Sequence, residues 1–254
     1  MRAIAVTVFP VRVRRWLRAQ QRRYRIQWLR VGTVHFGNLQ RLSPISGVFA
    51  LDRGLAVDRY YIEQFLSVHT SDIQGHVLEI GDDAYTRMFG GDRVTKSDVL
   101  HVVEGNPKAT ILADLTCADH IPSDTFDCII FTQTLQMIYD VRAALRHLYR
   151  ILRPGGTLLA TAHGISRIAR REGVDPWGEY WHFTSQSMRR LLQETCPAAE
   201  GDIKTHGNVL AAVVSLHGLA AEELSRRELD YTDPDYEVLI TLRVVKPKTT
   251  YINT

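Results

Sequence analysis

Cysteine is scarce in this chain of 254 residues: there are three, Cys117, Cys128 and Cys196, without CxxC spacing. An odd, unpaired set suggests neither a disulfide framework nor a zinc site, and a reducing, cytoplasmic setting is the simplest expectation. Also missing is any apolar run near the roughly 20 residues needed to span a bilayer. The early apolar stretch Ile4 to Val11 precedes its arginines, the reverse of a signal peptide, so no targeting segment is expected. A net charge of +3 is too small to argue for a nucleic-acid partner. There are no internal repeats and no low-complexity tracts, which excludes a solenoid or a linker-like chain. What is present, 45% hydrophobic and 23% charged residues, suits a soluble globular protein long enough for one large α/β domain.

The N-terminal segment stands apart. Arg12, Arg14, Arg15, Arg18, Arg22, Arg23, Arg25 and Arg30 interleave with Trp16, Leu17, Tyr24, Ile26, Trp28 and Leu29. A basic amphipathic helix of this kind either docks its apolar side on the domain or makes a peripheral contact with an anionic membrane. With the glycine- and proline-bearing stretch up to Gly54 it forms an expected extension, 1–54, ahead of a domain at 55–254. The periodicity then predicts a helix over Asp58 to Ser67 and strands at His76 to Ile80, Val99 to Val103, Thr110 to Ala113, Phe126 to Phe131 and Gly156 to Ala162. Helices are expected at Val141 to Leu152, Ser185 to Thr195 and Ala220 to Leu229, with two further strands at Val209 to Leu216 and Tyr236 to Val245. Alternation of this kind specifies a mostly parallel sheet with covered faces.

Residues Val77 to Tyr85, VLEIGDDAY, are the most telling local run. An apolar strand that ends in an acid, a glycine and two aspartates delivers carboxylates to the carboxyl edge of a parallel sheet, where α/β folds bind ligands. A nucleoside needs an acid for its ribose hydroxyls, a close backbone approach and an apolar slot for its base. Glu79 and Gly81, Asp98 or Glu104, Asp114, and Thr132 to Thr134 supply such groups in order along that edge.

VLEIGDD, ILADLTCADHIPSDTFDCIIFTQTLQMI and LYRILRPGGTLLATAHG together resemble the successive motifs of class I S-adenosylmethionine-dependent methyltransferases. WGEYWHFT, GNVLAAVVSLHGLAAEEL and YEVLITLRVVKP extend the likeness to a bacterial methyltransferase type 11-like subgroup found beside glycosyltransferases. The resemblance implies a Rossmann-like, seven-stranded, mostly parallel sheet with an antiparallel last strand, and S-adenosyl-L-methionine as cofactor. It implies that Gly81 admits the methionine part of the cofactor with Glu79 beneath it, and that Asp98, or alternatively Glu104, accepts from the ribose. Asp114 would meet the adenine amino group, Leu115 would wall the base, Gln133 would line the cofactor's tail, and Tyr60 and Tyr61 would cover it. Pro154, Gly155 and Gly156 would form only the turn into the fifth strand.

The usual further glycines are replaced by Asp83 and Tyr85, which leaves Asp82 and Asp83 to meet the cofactor's amino group or a cation. A magnesium site using these acids or a histidine is conceivable, but no ligand spacing supports it. After the fifth strand, where acceptors bind in this fold class, lie the expected catalytic candidates His163, Glu179 and His182. His163 is also readable, and more simply, as a loop histidine bonded to backbone. Trp177, Tyr180, Trp181 and Phe183 read either as a packing cluster or as a stacking wall for a sugar ring. Arg167, Arg170 and Arg171 would receive an anionic group or form a solvated face. The expected reaction is O-methylation of a sugar hydroxyl in a glycan, glycolipid or glycosylated metabolite, with a small-molecule or oligosaccharide acceptor. A lipid or small aromatic acceptor, a non-catalytic nucleotide-binding module and a homodimer remain open at this point.

Overall fold

The structure, a computed structural model, describes residues 13, 32–169, 178–196 and 198–248. The arginine-rich stretch, with the helix and membrane contact expected of it, lies outside the described residues, as do Arg170, Arg171 and Trp177. The chain divides into two compact units, Met1–Ser43 and Pro44–Thr254. Residues 44–54 fall in the larger unit, where Ile45 and Ser46 both donate backbone hydrogen bonds to the His217 carbonyl and Ser46 and Ala50 are buried. Among the described residues no helix is long and apolar enough to cross a membrane.

Seven strands form one sheet: β1 (Gly75–Ile80), β2 (Val94–His101), β3 (Ile111–Leu112), β4 (Phe126–Thr132), β5 (Leu152–His163), β6 (Glu200–His206) and β7 (Leu239–Val245). Their order is β3-β2-β1-β4-β5-β7-β6; β1 to β5 pair in parallel and β7 runs antiparallel to both its neighbours. This is the expected α/β sheet with its antiparallel last strand. The helices are α1 (Val57–Val68), α2 (Val141–Ile151), α3 (Ser185–Thr195), α4 (Val209–Leu216) and α5 (Arg226–Asp230). The central strands are buried on both faces, so their sequences are continuous apolar runs, as in FDCIIFT of β4. Helix α2 begins where the Asp140 side chain accepts from Ala143 N, and it lays Val141, Ala144, Leu145, Leu148 and Ile151 into the core. Because β1 pairs with β2 on one side and β4 on the other, the strand order reverses there, and the carboxyl ends of these strands frame a crevice.

Several local expectations are corrected. VLAAVVSL, residues 209–216, is helix α4 and not a strand: Asn208 accepts from the Leu210 and Ala211 amides and starts a helical turn that an all-apolar run cannot announce by periodicity. The helix expected over Ala220 to Leu229 is a short 3-10 turn, Ala221–Glu223, followed by α5. Strand β6, EGDIKTH, escaped notice because it is a largely solvated edge with one apolar residue, Ile203. Pro154, Gly155 and Gly156 lie inside β5, at a register shift against β4, rather than in a turn before it. Strand β2 starts at Val94 and ends at His101, where the imidazole Nδ1 meets the Val103 backbone and the chain bends away.

Asn208 also donates through Nδ2 to the carbonyls of Glu228 at 2.7 Å and Tyr231 at 2.8 Å, tying α4 to α5. Asn208→Ala is expected to lower the unfolding free energy by about 2 kcal/mol, since it removes a cap and leaves buried backbone groups unpaired. Urea denaturation with an unchanged m-value is the check.

Candidate active site

The loop after β1 is built on a buried carboxylate. Glu79, 2% exposed, accepts from Tyr85 N at 3.1 Å and from Thr86 N and Oγ1, both at 2.7 Å. Burial pushes its carboxyl above the usual range, and the bonds from Thr86 and Tyr85 only partly offset this. Glu79 therefore acts by shaping the loop after β1. At Gly81 the backbone turns with φ 85°, its amide donating to the Leu100 carbonyl at 3.0 Å and its carbonyl accepting from Asn106 Nδ2 at 2.6 Å. A Cβ at Gly81 would meet nothing within 4 Å, so the backbone lies open there. Asp82 caps the Ala84 amide, and Asp83 pairs with Arg87 at 3.1 Å and Lys108 at 3.5 Å. Tyr85, in place of a family glycine, is buried and accepts from Arg59 Nη1 at 2.8 Å. The loop is thus built on side-chain anchors instead of extra glycines.

A cavity of about 780 Å³ opens over this edge. Ile80 and Gly81 after β1, Leu100 to Val102 at the end of β2, and Ala113 to Thr116 after β3 line one part. Thr134, Met137 to Asp140, Ala169 and Tyr180 line the other. Of the expected cofactor residues, Gly81, Asp114 and Leu115 are in this lining. Asp114 is anchored through Oδ1 by Thr116 N and Oγ1, both at 2.8 Å, and stays exposed.

Asp98 is not at the edge. It sits opposite Leu78 in mid-strand, and its carboxylate is occupied by His76 Nε2 at 2.6 Å, Thr110 Oγ1 at 2.8 Å and Lys96 Nζ at 3.0 Å. The structure makes it a strand-pairing carboxylate. Glu104, the alternative, is exposed beyond the bend and outside the cavity lining. Tyr60 points to α5, donating to Asp230 at 2.7 Å, and Tyr61 donates to the Leu229 carbonyl at 2.9 Å, so neither covers the cavity. Gln133 has φ 48°, a strained value held by its amide bonding to Thr161; its side chain donates to Asp58 at 3.2 Å. Asp58 and Tyr139 belong to this neighbourhood and went unread in the sequence. Tyr139 follows the last residue of a family-like motif, and Asp58 carries no local signal apart from the start of a helix.

Beyond the end of β5 the structure brings His163, Glu179 and His182 together, outside the cavity lining. His163 closes β5; Glu179 and His182 come from the loop ahead of α3. The Glu179 carboxylate, its side chain 1% exposed, meets His163 Nε2 and, at 3.0 Å, His182 Nε2 through the same oxygen, Oε1. Its other oxygen accepts from Ala169 N at 2.5 Å. Burial holds the His163 imidazole below its usual pKa, against the pull of Glu179. The loop is pinned by Tyr180 N donating to the Gln136 carbonyl at 2.8 Å and by Phe183, which is buried in the core. Tyr180 and Trp181 remain partly exposed and contact Tyr139, with ring centroids 5.4 and 6.0 Å apart.

A family model described as a methyltransferase domain matches residues 52–196. The chain belongs to this family. The Rossmann-like sheet order and the crevice at its carboxyl edge agree with that assignment. Among curated proteins, the chain is 31% identical over 119 residues to a ubiquinone/menaquinone biosynthesis C-methyltransferase of Enterobacter sp. (strain 638), covering 38% of this chain and 47% of that one. A counterpart from Haemophilus ducreyi is 43% identical over 44 residues, covering 16% and 17%. The chain thus spans less than half the length of these relatives. Among solved structures, Haemonchus contortus phosphoethanolamine N-methyltransferase 2 in complex with S-adenosyl-L-methionine is similar in fold, with a TM-score of 0.51, 14% identity, and coverage of 73% of this chain and 53% of that one. The cavity offers an open glycine backbone, apolar walls and an exposed carboxylate at the rim, the features that a nucleoside with a charged tail requires.

The Asp98 carboxyl titrates below its ordinary range: burial raises it, but the hydrogen bonds from His76, Thr110 and Lys96 prevail. A depressed carboxyl stabilises the fold above the unfolded-chain value of about 3.9 and loses that contribution as pH falls through its folded value. Asp98→Asn is expected to cost about 1–3 kcal/mol at neutral pH, with the deficit shrinking in acid. Calorimetry should find its S-adenosylhomocysteine affinity within about twofold of wild type, whereas a loss of about tenfold or more would return Asp98 to the cofactor site.

Proposed function

We propose that this methyltransferase methylates a hydroxyl of a sugar in a glycan, glycolipid or glycosylated metabolite. The observation that carries this reading is the pair of exposed aromatic rings in the cavity lining, Tyr139 and Tyr180. The polar group of His163, Glu179 and His182 lies behind them, joined to the lining through Tyr180, which follows Glu179 in the chain, and Ala169, whose amide it holds. Aromatic faces suit the apolar side of a pyranose, and neighbouring polar side chains suit its hydroxyls.

S-adenosyl-L-methionine, held by Gly81, Asp114 and Leu115, supplies an electrophilic methyl group. The chain's own task is to align an acceptor oxygen, exclude water and provide for loss of the hydroxyl proton. Gly81 offers its backbone to the cofactor's tail, Asp114 accepts from the adenine amino group, and Leu115 walls the base. Glu79, Asp82 and Gln133 act one step back by fixing the loops that carry these groups. His163, Glu179 and His182 face the acceptor. A second reading, a small aromatic acceptor, is favoured by the likeness to the ubiquinone/menaquinone C-methyltransferases and would use the same rings.

Transfer of labelled methyl to a panel of mono- and oligosaccharides, phenols and quinols separates the two; labelling of phenols alone would defeat the sugar reading. Asp114→Ala is expected to weaken S-adenosylhomocysteine binding about tenfold, the size of one lost hydrogen bond to a charged group. Tyr180→Ala should lower kcat/KM for the sugar about tenfold, from roughly 1.4 kcal/mol of stacking, and leave cofactor affinity nearly unchanged. Equal loss in both quantities would move Tyr180 to the cofactor's side.

A further inference from the structure

We propose that His163, Glu179 and His182 bind a divalent transition-metal ion of the zinc or iron class, with a coordination position left open. Each of the three offers one ligand atom, and these atoms lie within 4.8 Å of one another. They come from two separate parts of the chain, the end of β5 and the loop before α3, so their meeting is a product of the fold and not of local sequence.

The way they meet is informative. Both imidazoles direct Nε2 at the same carboxylate oxygen, Oε1, while Oε2 is held separately by the Ala169 amide. Nε2 of His163, Nε2 of His182 and Oε1 of Glu179 thus form one compact triangle of donor atoms, which opens slightly to seat an ion because ligands about 2.0–2.2 Å from a metal lie farther apart than hydrogen-bonded atoms. The two rings are not stacked but tilted by 69° with centroids 4.8 Å apart, which lets two Nε2 lone pairs converge without the rings colliding. Glu179 is among the most deeply buried carboxylates of the described chain, and its described partners are two imidazoles and one backbone amide. A carboxylate removed from water in this way needs a nearby positive charge, which a divalent ion provides.

Ligand chemistry selects the ion. Two imidazole nitrogens and one carboxylate oxygen match the donor sets of open zinc and non-haem iron sites, whereas magnesium and calcium call for oxygen ligands. The Ala169 amide does what an outer partner does in such sites, fixing the carboxylate so that one oxygen faces the ion. His182 is 38% exposed, and Ala169 and Tyr180, next to Glu179 in bonding or in sequence, line the cavity. Three protein ligands leave a coordination position free, and the partly exposed His182 marks the side on which a hydroxyl or other oxygen of the acceptor would reach it. The binding claim stands on geometry alone; the role beside an acceptor hydroxyl rests on the sugar reading above.

The test uses the full chain stripped with a chelator and then titrated with Co²⁺, followed by visible absorption, and with Zn²⁺, followed by calorimetry. Saturable binding of one ion per chain is expected, weakened about 100-fold or more in Glu179→Gln and His163→Gln and less in His182→Gln. His182→Gln guards against misfolding, because its side chain is partly exposed; circular dichroism and S-adenosylhomocysteine affinity verify every variant. A chain that binds S-adenosylhomocysteine but takes up no Co²⁺ or Zn²⁺ overturns the metal site and leaves the methyltransferase assignment intact. Undiminished binding in Glu179→Gln and His182→Gln also overturns it. One-to-one binding that depends on these residues upholds it even if no sugar is methylated, in which case the acceptor reading alone falls.

Discussion

The buried Glu79 carboxylate is the interaction on which the rest of the site depends. It ends the central strand and gathers two backbone amides and a hydroxyl from Tyr85 and Thr86, groups that would otherwise be orphaned beneath the loop. With the loop held from below, Gly81 presents its backbone upward and Tyr85 packs inward against Arg59. The family's extra glycines let a chain hug its cofactor. This chain reaches an open backbone at Gly81 by anchoring the following residues.

The cluster of His163, Glu179 and His182 is assembled by a different constraint. His163 is carried on β5, whose pairing with β7 runs unbroken from Thr157 to His163 itself, so the imidazole is fixed to the sheet. The loop bearing Glu179 and His182 is tied at Tyr180 to Gln136 and at Phe183 to the core and the His163 carbonyl. Ser185, at the start of α3, is held by Glu237 through both its amide and its hydroxyl. These ties place a buried carboxylate against two imidazoles with little freedom to drift, and a polar cluster of this kind is stable only if each member is satisfied.

Much of the fold was legible because central strands and amphipathic helices carry their burial in their own sequence. FDCIIFT and VRAALRHLYRI announce β4 and α2 with no reference to anything distant. Edge strand β6 was not legible, since a solvated strand has no reason to be apolar, and VLAAVVSL was ambiguous because a run apolar on all sides has no period. That Gly81 and Asp114 reach the cavity lining was readable from the position of strand ends. Asp98 misled because its place relative to the edge depends on a register that begins five residues before the apolar part of β2.

By itself the sequence determined the alternation of strands and helices, the carboxyl edge as ligand side, and the methyltransferase motifs, all properties encoded in local runs of residues. Only the tertiary structure decided which acids stand at the edge and which are spent on the fold, since this follows from strand register and long-range partners such as His76 and Lys96 for Asp98. It alone decided that Glu179 and His182 meet His163 around one carboxylate oxygen. Residues so far apart in the chain are brought together by packing of the loop on the sheet, a long-range interaction that no local pattern records.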